Sequence, residues 1–192
     1  MRRFTVLAVM FAVLGAPCVV RAQASGQARA VHASITGSSG TTTVTLADTG
    51  TLSAGGDARD ASQSDGSISG LLSGNAFHAS TIGSSDTVAS EASLGDLALS
   101  VAGNTVSAGF VMARALVGAR DGSAGAISIH GLAINGLPVT ITGAKNQTIS
   151  IPGGHIIINQ QQTTGNTTVV NAIHVVVDGV ADVVVASAAA GL

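Results

Sequence analysis

The feature that most constrains this chain is the regular alternation, from residue 126 to 188, of short β-branched runs with turn signals. The clearest turn signals are Asn135-Gly136, Pro152-Gly153-Gly154 and Asp178-Gly179, which suit the tight turns of hairpins. The runs between them are too short for ordinary helices, and their Val, Ile and Thr content favours strands. The pattern predicts an antiparallel meander.

The last hairpin of this stretch joins residues 169–177 to residues 180–187 through Asp178-Gly179. Counting outward from a two-residue loop fixes the cross-strand partners. It pairs Val177 with Val180, Ile173 with Val184, and His174 with Val183. Both faces are mostly apolar, so we expect the hairpin to be covered on both sides within a sandwich.

A second hairpin is predicted where Leu97, Leu99 and Val101 alternate before a turn at Gly103-Asn104. Counting across that turn pairs Val101 with Val106, Leu99 with Ala108, and Leu97 with Phe110, and it places Met112 on the same apolar face. Ala98, Ser100 and Ser107 then face solvent. Glu91 can form a salt bridge with Arg114 or Arg120.

The sequence signals for the remaining elements are weaker. A bulge is expected at His130-Gly131. The segment 47–74 is rich in Gly, Ser and Asp, so we predict a long surface loop there with one short strand near 68–72. The other predicted strands are 31–35, 41–46, 76–82, 127–129, 132–134, 139–142, 148–151 and 155–159.

Short, evenly punctuated strands predict an all-β fold, an antiparallel β-sandwich or a jelly-roll-like arrangement. A β-solenoid is the structural alternative. It is disfavoured because the sequence has no repeat of constant length.

The N-terminus has the composition of a secretory signal peptide. Arg2-Arg3 precede an apolar run over 4–14, and small residues follow at Ala22 and Ala24. We expect cleavage after Ala24, with cleavage after Ala22 as the close alternative, and therefore secretion to the outside, the cell surface or the periplasm. The apolar run falls short of the roughly 18 residues that span a bilayer, so no membrane span is expected after cleavage.

The rest of the chain is long enough for one domain, predicted over 31–192, with a flexible N-terminal arm at 25–30. After residue 24 it has five basic and ten acidic residues, a formal charge of −5, and no cysteine. The acidic balance argues against binding to nucleic acid, which needs clustered cations. Phe77 and Phe110 are its only aromatic residues, too few for a stacking platform that binds sugars or single strands.

Several segments resemble the bacterial surface proteins called choice-of-anchor P family proteins. They are 144–149, 151–154, 157–161, 170–175 and 181–186, preceded by a similar part from 90 to 115. The resemblance implies an exported or surface β-domain, and it brings no established catalytic residues. Family members frequently end in an anchoring segment, a pattern from which Ala190-Gly191-Leu192 departs.

Catalytic signatures are absent from the sequence, including the nucleophile elbow, the zinc-binding helix, the phosphate loop and the dinucleotide fingerprint. Asp48-Thr49-Gly50 echoes the aspartic-protease signature, which needs a second such element. Asp65-Gly66-Ser67 and Asp121-Gly122-Ser123 lack the pattern. A turn at a strand end is therefore the preferred interpretation of Asp48.

The five histidines could gather around a metal, but none shows the close spacing typical of ligands. They are His32, His78, His130, His155 and His174. His174 lies in an apolar strand, where a hydrogen-bonded structural role is the better interpretation. We therefore assign no catalytic, cofactor-binding or metal-binding residue and expect no cofactor.

Three functional hypotheses follow. The leading one is an exported, non-enzymatic β-domain with a structural, matrix or adhesive role. The second is an extracellular hydrolase that uses Asp48 or a histidine, and the third is a self-assembling or partner-dependent subunit whose strand edges pair between chains.

Overall fold

The computed structural model describes residues 24–53 and 55–192. In these residues the chain forms thirteen β-strands and no helix. The described residues therefore contain no helix long and apolar enough to cross a membrane. The strands are β1 Ser25–Gly37, β2 Gly40–Asp48, β3 Ala58–Ile68, β4 Leu72–Gly83, β5 Thr87–Val101, β6 Asn104–Gly118, β7 Gly122–His130, β8 Ala133–Ile134, β9 Leu137–Pro138, β10 Gln147–Ile151, β11 Gly154–Thr164, β12 Thr167–Val177 and β13 Ala181–Gly191. The predicted leader lies outside the described residues except for Ala24.

The strands form two antiparallel sheets that pack face to face. Sheet A has the order β10-β11-β12-β13-β1-β2. Sheet B has the order β3-β4-β5-β6, and β7 and the β8-β9 hairpin pair with different lengths of β6. Strand β1 lies against β4 and β5, β13 against β5 and β6, and β12 against β6 and β7. This is the antiparallel β-sandwich predicted from the sequence, and the described strands do not form a solenoid.

Sheet A is built from both ends of the described chain. The β1-β2 hairpin comes first, the chain then crosses to sheet B, and it returns for the β10–β13 meander, whose last strand pairs with β1. Ser25 pairs with Gly191, and Ala24 is only 3% exposed. The prediction of a flexible arm at 25–30 is therefore wrong, because these residues form the first half of an interior strand.

Small aliphatic side chains fill the space between the sheets. The largest buried side chains include Phe77, Leu94, Ile156, Ile158 and Ile173, and many of the remaining buried positions are Ala or Val. At Gly125 of β7 a Cβ atom would lie 2.6 Å from Val170 Cγ2, so the sheets are too close there for any side chain. Such close packing leaves little room for larger residues, because protein interiors tolerate few voids and little overpacking.

Sheet A contains a transverse row of five residues that we call the alanine row. It consists of Ala47, Ala30, Ala186, Ala172 and Asn159, one each from β2, β1, β13, β12 and β11. Cross-strand pairing skips this row on every strand, as between Asn171↔Ser187 and Ile173↔Val185. The row residues on alternate strands have positive φ, namely 45° at Ala47, 53° at Ala186 and 55° at Asn159.

The alanine row reverses the side-chain alternation of the strands that it crosses. In β1, β12 and β13 the row residue and its larger neighbour both point inward, as with Ala30 and Val31 or Ala172 and Ile173, all fully buried. Two consecutive inward side chains fit only if one of them is small. A positive φ costs roughly 1–2 kcal/mol for a residue with a Cβ atom, so surrounding packing must hold these residues in place.

The register of the last hairpin differs from the prediction by one residue. Val177 pairs with Ala181, Ile173 with Val185, and His174 with Val184. The connection has three residues, since Val180 N–H donates to Val177 O at 3.0 Å and Gly179 has a φ of 68°, as a type II turn requires. The expected burial of both faces is also wrong, because His174, Val176 and Val184 face outward and are only half-buried.

The register of the β5-β6 hairpin differs from the prediction by two residues. A shift of two residues leaves the side chains near the turn on their predicted faces. Its turn is Ala102-Gly103, with φ of 48° and 79°, so Leu99 pairs with Val106 and Leu97 with Ala108. Beyond that point pairing skips Asp96 and Gly109, and the alternation reverses. Phe110, predicted to face the core, is therefore 36% exposed on the outer face, with Met112 beside it. Ala98, Ser100 and Ser107 are exposed as predicted.

Two other predicted segments are wrong. The long loop over 47–74 contains all of β3 and the start of β4, and the short strand near 68–72 is instead the turn between them. Edge strand β3 faces solvent on much of both sides, so it lacks the apolar alternation that would reveal it. The predicted strand at 139–142 is an irregular connection between sheets. The predicted turns at Asn135-Gly136 and Pro152-Gly153 are confirmed by the pairs Ile134↔Leu137 and Ile151↔Gly154.

The backbone at the alanine row can be tested with two substitutions on one strand. We expect Ala186→Gly to destabilise the fold by about 1–2 kcal/mol less than Ala188→Gly, because glycine relieves the positive φ only at residue 186. Both alanines are fully buried on β13, so the second variant is a matched control for the lost methyl group. Urea unfolding measures the difference, and equal losses would contradict the assignment.

Candidate functional site

The outer face of sheet A carries a polar network that spans three strands. Gln160 lies on β11, Asn171 and His174 on β12, and Asp182 on β13. Asn171 Nδ2 donates to Gln160 Oε1 at 2.7 Å. His174 Nδ1 lies 3.0 Å from the same oxygen, and His174 Nε2 lies 2.9 Å from Asp182 Oδ1.

The alanine row explains why these side chains meet. In a regular strand residues 171 and 174 would point to opposite faces, because side chains alternate. The extra inward residue at Ala172 places Asn171 and His174 on the same outer face. Gln160 pairs directly with Asn171, which brings its amide within reach of both residues.

The network suits a structural or recognition role better than proton transfer. The ring nitrogens of His174 contact the amide oxygen of Gln160 and the carboxylate of Asp182, so neither of these contacts is to a hydroxyl or thiol that could act as a nucleophile. The His174 side chain is only 16% exposed, whereas the Asp182 carboxylate projects into solvent. Asn171 Oδ1 is buried without a hydrogen-bond partner among the described residues. Such an atom is an exception to the general pairing of buried polar groups.

The remaining histidines are divided between the two sheets. His32 and His155 lie on sheet A with His174, whereas His78 and His130 lie on sheet B. His78 Nδ1 is 3.4 Å from Asp60 Oδ2, and His130 Nε2 is 3.1 Å from Ser128 Oγ. Within 24–53 and 55–192, no three histidine or acidic residues are grouped so that they could hold a metal ion.

Asp48, the candidate protease residue, ends β2 beside Arg29. Its Oδ2 accepts from Arg29 Nε at 3.0 Å, and its Oδ1 accepts from Gln27 Nε2 at 2.9 Å and from Gly50 N–H at 2.8 Å. Partial burial raises the pKa of Asp48, but the hydrogen bonds from Gln27 and Gly50 and the charge of Arg29 outweigh it, so the pKa is lowered. This carboxylate forms a turn and an ion pair, and neither Asp65 nor Asp121 lies on its sheet.

A second carboxylate stabilises the same connection between the sheets. Asp57 Oδ2 accepts from the backbone N–H and hydroxyl of Ser53 and from Arg59 Nε. The two hydrogen bonds from Ser53 and that from Arg59 lower the pKa of Asp57 to about 2. A carboxylate that is hydrogen-bonded to an arginine thus lies at each end of the connection between β2 and β3.

Three of the surface concavities are lined wholly by described residues. One of about 500 Å³ lies at the tip of the β3-β4 hairpin, lined by serines and by apolar residues such as Ile68, Leu71 and Leu99, with no titratable side chain. A second, of about 550 Å³, contains His78 and Gln63 at the edge of sheet B. The third, of about 230 Å³, lies beside Leu192. None of the three brings together Asp48, Asp65 or two histidines.

Sequence reasoning missed the polar network for a local reason. It placed His174 in an apolar strand and expected hydrogen bonding, but it could not identify the partners Gln160 and Asp182. The signal that could have revealed them is Ala172, a small residue between two polar residues that are three positions apart. The predicted ion pair of Glu91 is confirmed, with Arg114 Nε at 2.8 Å.

The role of Asp48 predicts a pH dependence. A carboxyl group whose pKa is lowered by folding stabilises the native state above its unfolded pKa of about 3.9, and this contribution is lost as pH falls through the folded pKa. Because the pair is partly solvent-exposed, we expect Asp48→Asn to reduce the free energy of unfolding at pH 7 by at most about 1 kcal/mol and by less near pH 3. Asp65→Asn on exposed β3 is the control. Unfolding curves for Asp48→Asn and the unaltered protein that stay equally far apart from pH 7 to pH 3 would contradict this role.

Comparisons of this chain with protein-family models, with curated proteins and with solved structures find no match. The sandwich architecture and the polar network are therefore supported by the geometry of this structure alone. The resemblance to choice-of-anchor P family proteins stays a prediction.

Proposed function

We propose that this chain is an exported, non-enzymatic β-sandwich that acts outside the cell or at its surface as a structural, matrix or adhesive component. The observation that carries the proposal is the position of the first strand. Ser25 is already paired with Gly191, within three residues of both cleavage points predicted at Ala22 and Ala24. Cleavage at either predicted point would therefore leave a chain that begins almost directly with a folded domain.

The composition of the domain supports an extracellular role. The residues after the leader contain no cysteine, so the fold needs no disulfide and does not depend on the redox state of its surroundings. Its stability comes from small aliphatic side chains between two sheets. A domain of this kind can work unchanged in the periplasm, at the surface or in the medium.

The outer face of sheet A supports a role in contact rather than in catalysis. Hydroxyl side chains line the β1-β2 hairpin in cross-strand pairs, Thr36 with Thr41 at 3.2 Å and Ser34 with Thr43 at 3.4 Å. The polar network around His174 continues this polar surface towards β11. Such a broad surface offers many hydrogen-bonding groups to a flat partner, and none of the three concavities described above lies on it.

Export is tested by cell fractionation with mass spectrometry of the N-terminus. We expect the protein outside the cytoplasm, beginning at Ser25 or, with cleavage after Ala22, at Gln23. Leu7→Asp, which interrupts the apolar run of the leader, should leave uncut precursor in the cytoplasm. Ser38→Asp, in an exposed turn, is the control and should be exported normally.

An unaltered protein that stays in the cytoplasm with Met1 at its N-terminus would contradict the proposal. So would equal export of the Leu7→Asp variant, since the leader would then have no role. The polar network gives a separate check of the non-enzymatic role: a purified protein that hydrolyses ester, peptide or glycoside substrates, and loses this activity with His174→Gln, would favour the hydrolase alternative.

A further inference from the structure

The outer face of sheet B has an uneven relief across its two central strands. In the part of β6 after Gly109 the outward residues are Phe110, Met112, Arg114 and Leu116, all large, and we call them the β6 ridge. In the paired part of β5, from Ala89 to Gly95, the outward residues are Ala89, Glu91, Ser93 and Gly95, all small except Glu91, and we call them the β5 trough. Ridge and trough lie side by side, because Ala89 pairs with Leu116, Glu91 with Arg114, and Ser93 with Met112.

Three of the four ridge residues are apolar, and Arg114 is the exception. Phe110 is one of only two aromatic residues after the leader, and Leu116 is 43% exposed. The flanking strand β4 adds Ile82, which is 59% exposed in the same row as Ala89 and Leu116. Scattered exposed apolar residues are common, but a contiguous row across a sheet indicates an interaction surface.

We propose that this face of sheet B is a binding surface for a second copy of the same chain. Two-fold symmetry makes this face complementary to itself. A two-fold axis parallel to the strands and midway between β5 and β6 would exchange β5 with β6 and β4 with β7. Each ridge then faces the trough of the other copy, which makes an isologous, self-complementary contact.

The side chains match row by row under this operation. Leu116 faces Ala89 of the second copy, and Met112 faces Ser93. Ile82 of β4 faces Ala124, which is a small exposed residue on β7. Large residues thus oppose small ones in each of these rows, which allows the two sheets to interdigitate at ordinary packing distance. The fourth row contains Phe110 and Gly95. There the Asn75 side chain already covers Gly95, so Phe110 would contact the Asn75 amide of the second copy.

The charges select the same axis. Arg114 would face Glu91 of the second copy, and Glu91 would face its Arg114, so two ion pairs form in addition to the pair within each chain at 2.8 Å. An axis placed along β5 instead would oppose the two Glu91 carboxylates directly. Like charges facing each other are unfavourable, so the axis between β5 and β6 is complementary and the axis along β5 is not.

The opposed area is close to that of the smallest specific interfaces. Four rows spaced about 6.7 Å apart on the four opposed strands β4 to β7, about 4.8 Å apart, cover roughly 500 Å². Two copies would bury about 1,000 Å² in total, which is about the minimum expected of a specific interface. This contact uses a sheet face and not the strand edges that the sequence suggested.

The test is sedimentation equilibrium of the protein recovered after export, over a range of concentrations. We expect a monomer–dimer equilibrium whose dissociation constant rises about 30-fold or more with Leu116→Glu, because a charge would enter the Ala89 trough of the other copy. Leu137→Glu is the matched control. Leu137 is 71% exposed on β9, away from the ridge and trough, so its replacement should leave the dissociation constant unchanged.

A mixing experiment separates interface contacts from effects on the fold. Glu91→Arg and Arg114→Glu should each weaken self-association, since each opposes like charges across the interface. Mixed in equal amounts, the two variants should form heterodimers, because every contact between copies then joins an arginine to a glutamate. Restored association on mixing would support the geometry.

Three results would overturn the proposal. They are a protein that stays monomeric at millimolar concentration, a dimer that Leu137→Glu weakens as much as Leu116→Glu does, and variants that fail to associate on mixing while circular dichroism shows native sheet. None of these results bears on export, so this proposal can fail while the proposed function stands.

Discussion

The structure depends on the alanine row of sheet A, where several strands place two consecutive residues against the core. One of the two inward residues is a fully buried alanine on β1, β12 and β13, and on β11 it is the buried Asn159. Packing of the larger neighbours Val31, Ile173 and Val185 holds the row in place against the strain of positive φ. The local backbone is thus dictated by tertiary packing and not by the preferences of the residues themselves.

This single feature also determines what the outer face of sheet A presents. It aligns Asn171 with His174, and it brings Gln160 and Asp182 into hydrogen-bonding range of the histidine. The related reversal near Asp96 in sheet B turns Phe110 and Met112 outward and creates the β6 ridge. Both the polar network and the β6 ridge therefore arise where regular alternation is interrupted. A sheet without these interruptions would bury Phe110 and separate Asn171 from His174.

Much of the fold could be predicted from alternation and turn residues. The strands with one apolar face were found, as were the turns at Asn135-Gly136 and Pro152-Gly153, because their chemistry is local. Strand β3 was missed because an exposed edge strand needs no apolar residues. The register of β12 and β13 was missed because Asp178-Gly179 fits a two-residue loop as well as the three-residue loop that the structure uses. The orientation of Phe110 depends on pairing across strands, which periodicity in one strand does not reveal.

The central claim is that the alanine row reverses the alternation, and cysteine accessibility tests it most directly. The chain after the leader has no cysteine, so single replacements at 171, 172, 173 and 174 report only their own exposure to a thiol reagent. The structure predicts that Asn171→Cys and His174→Cys are modified in the folded protein, whereas Ala172→Cys and Ile173→Cys are protected until unfolding. Strict alternation, with 171 and 173 modified and 172 and 174 protected or the reverse, would contradict it.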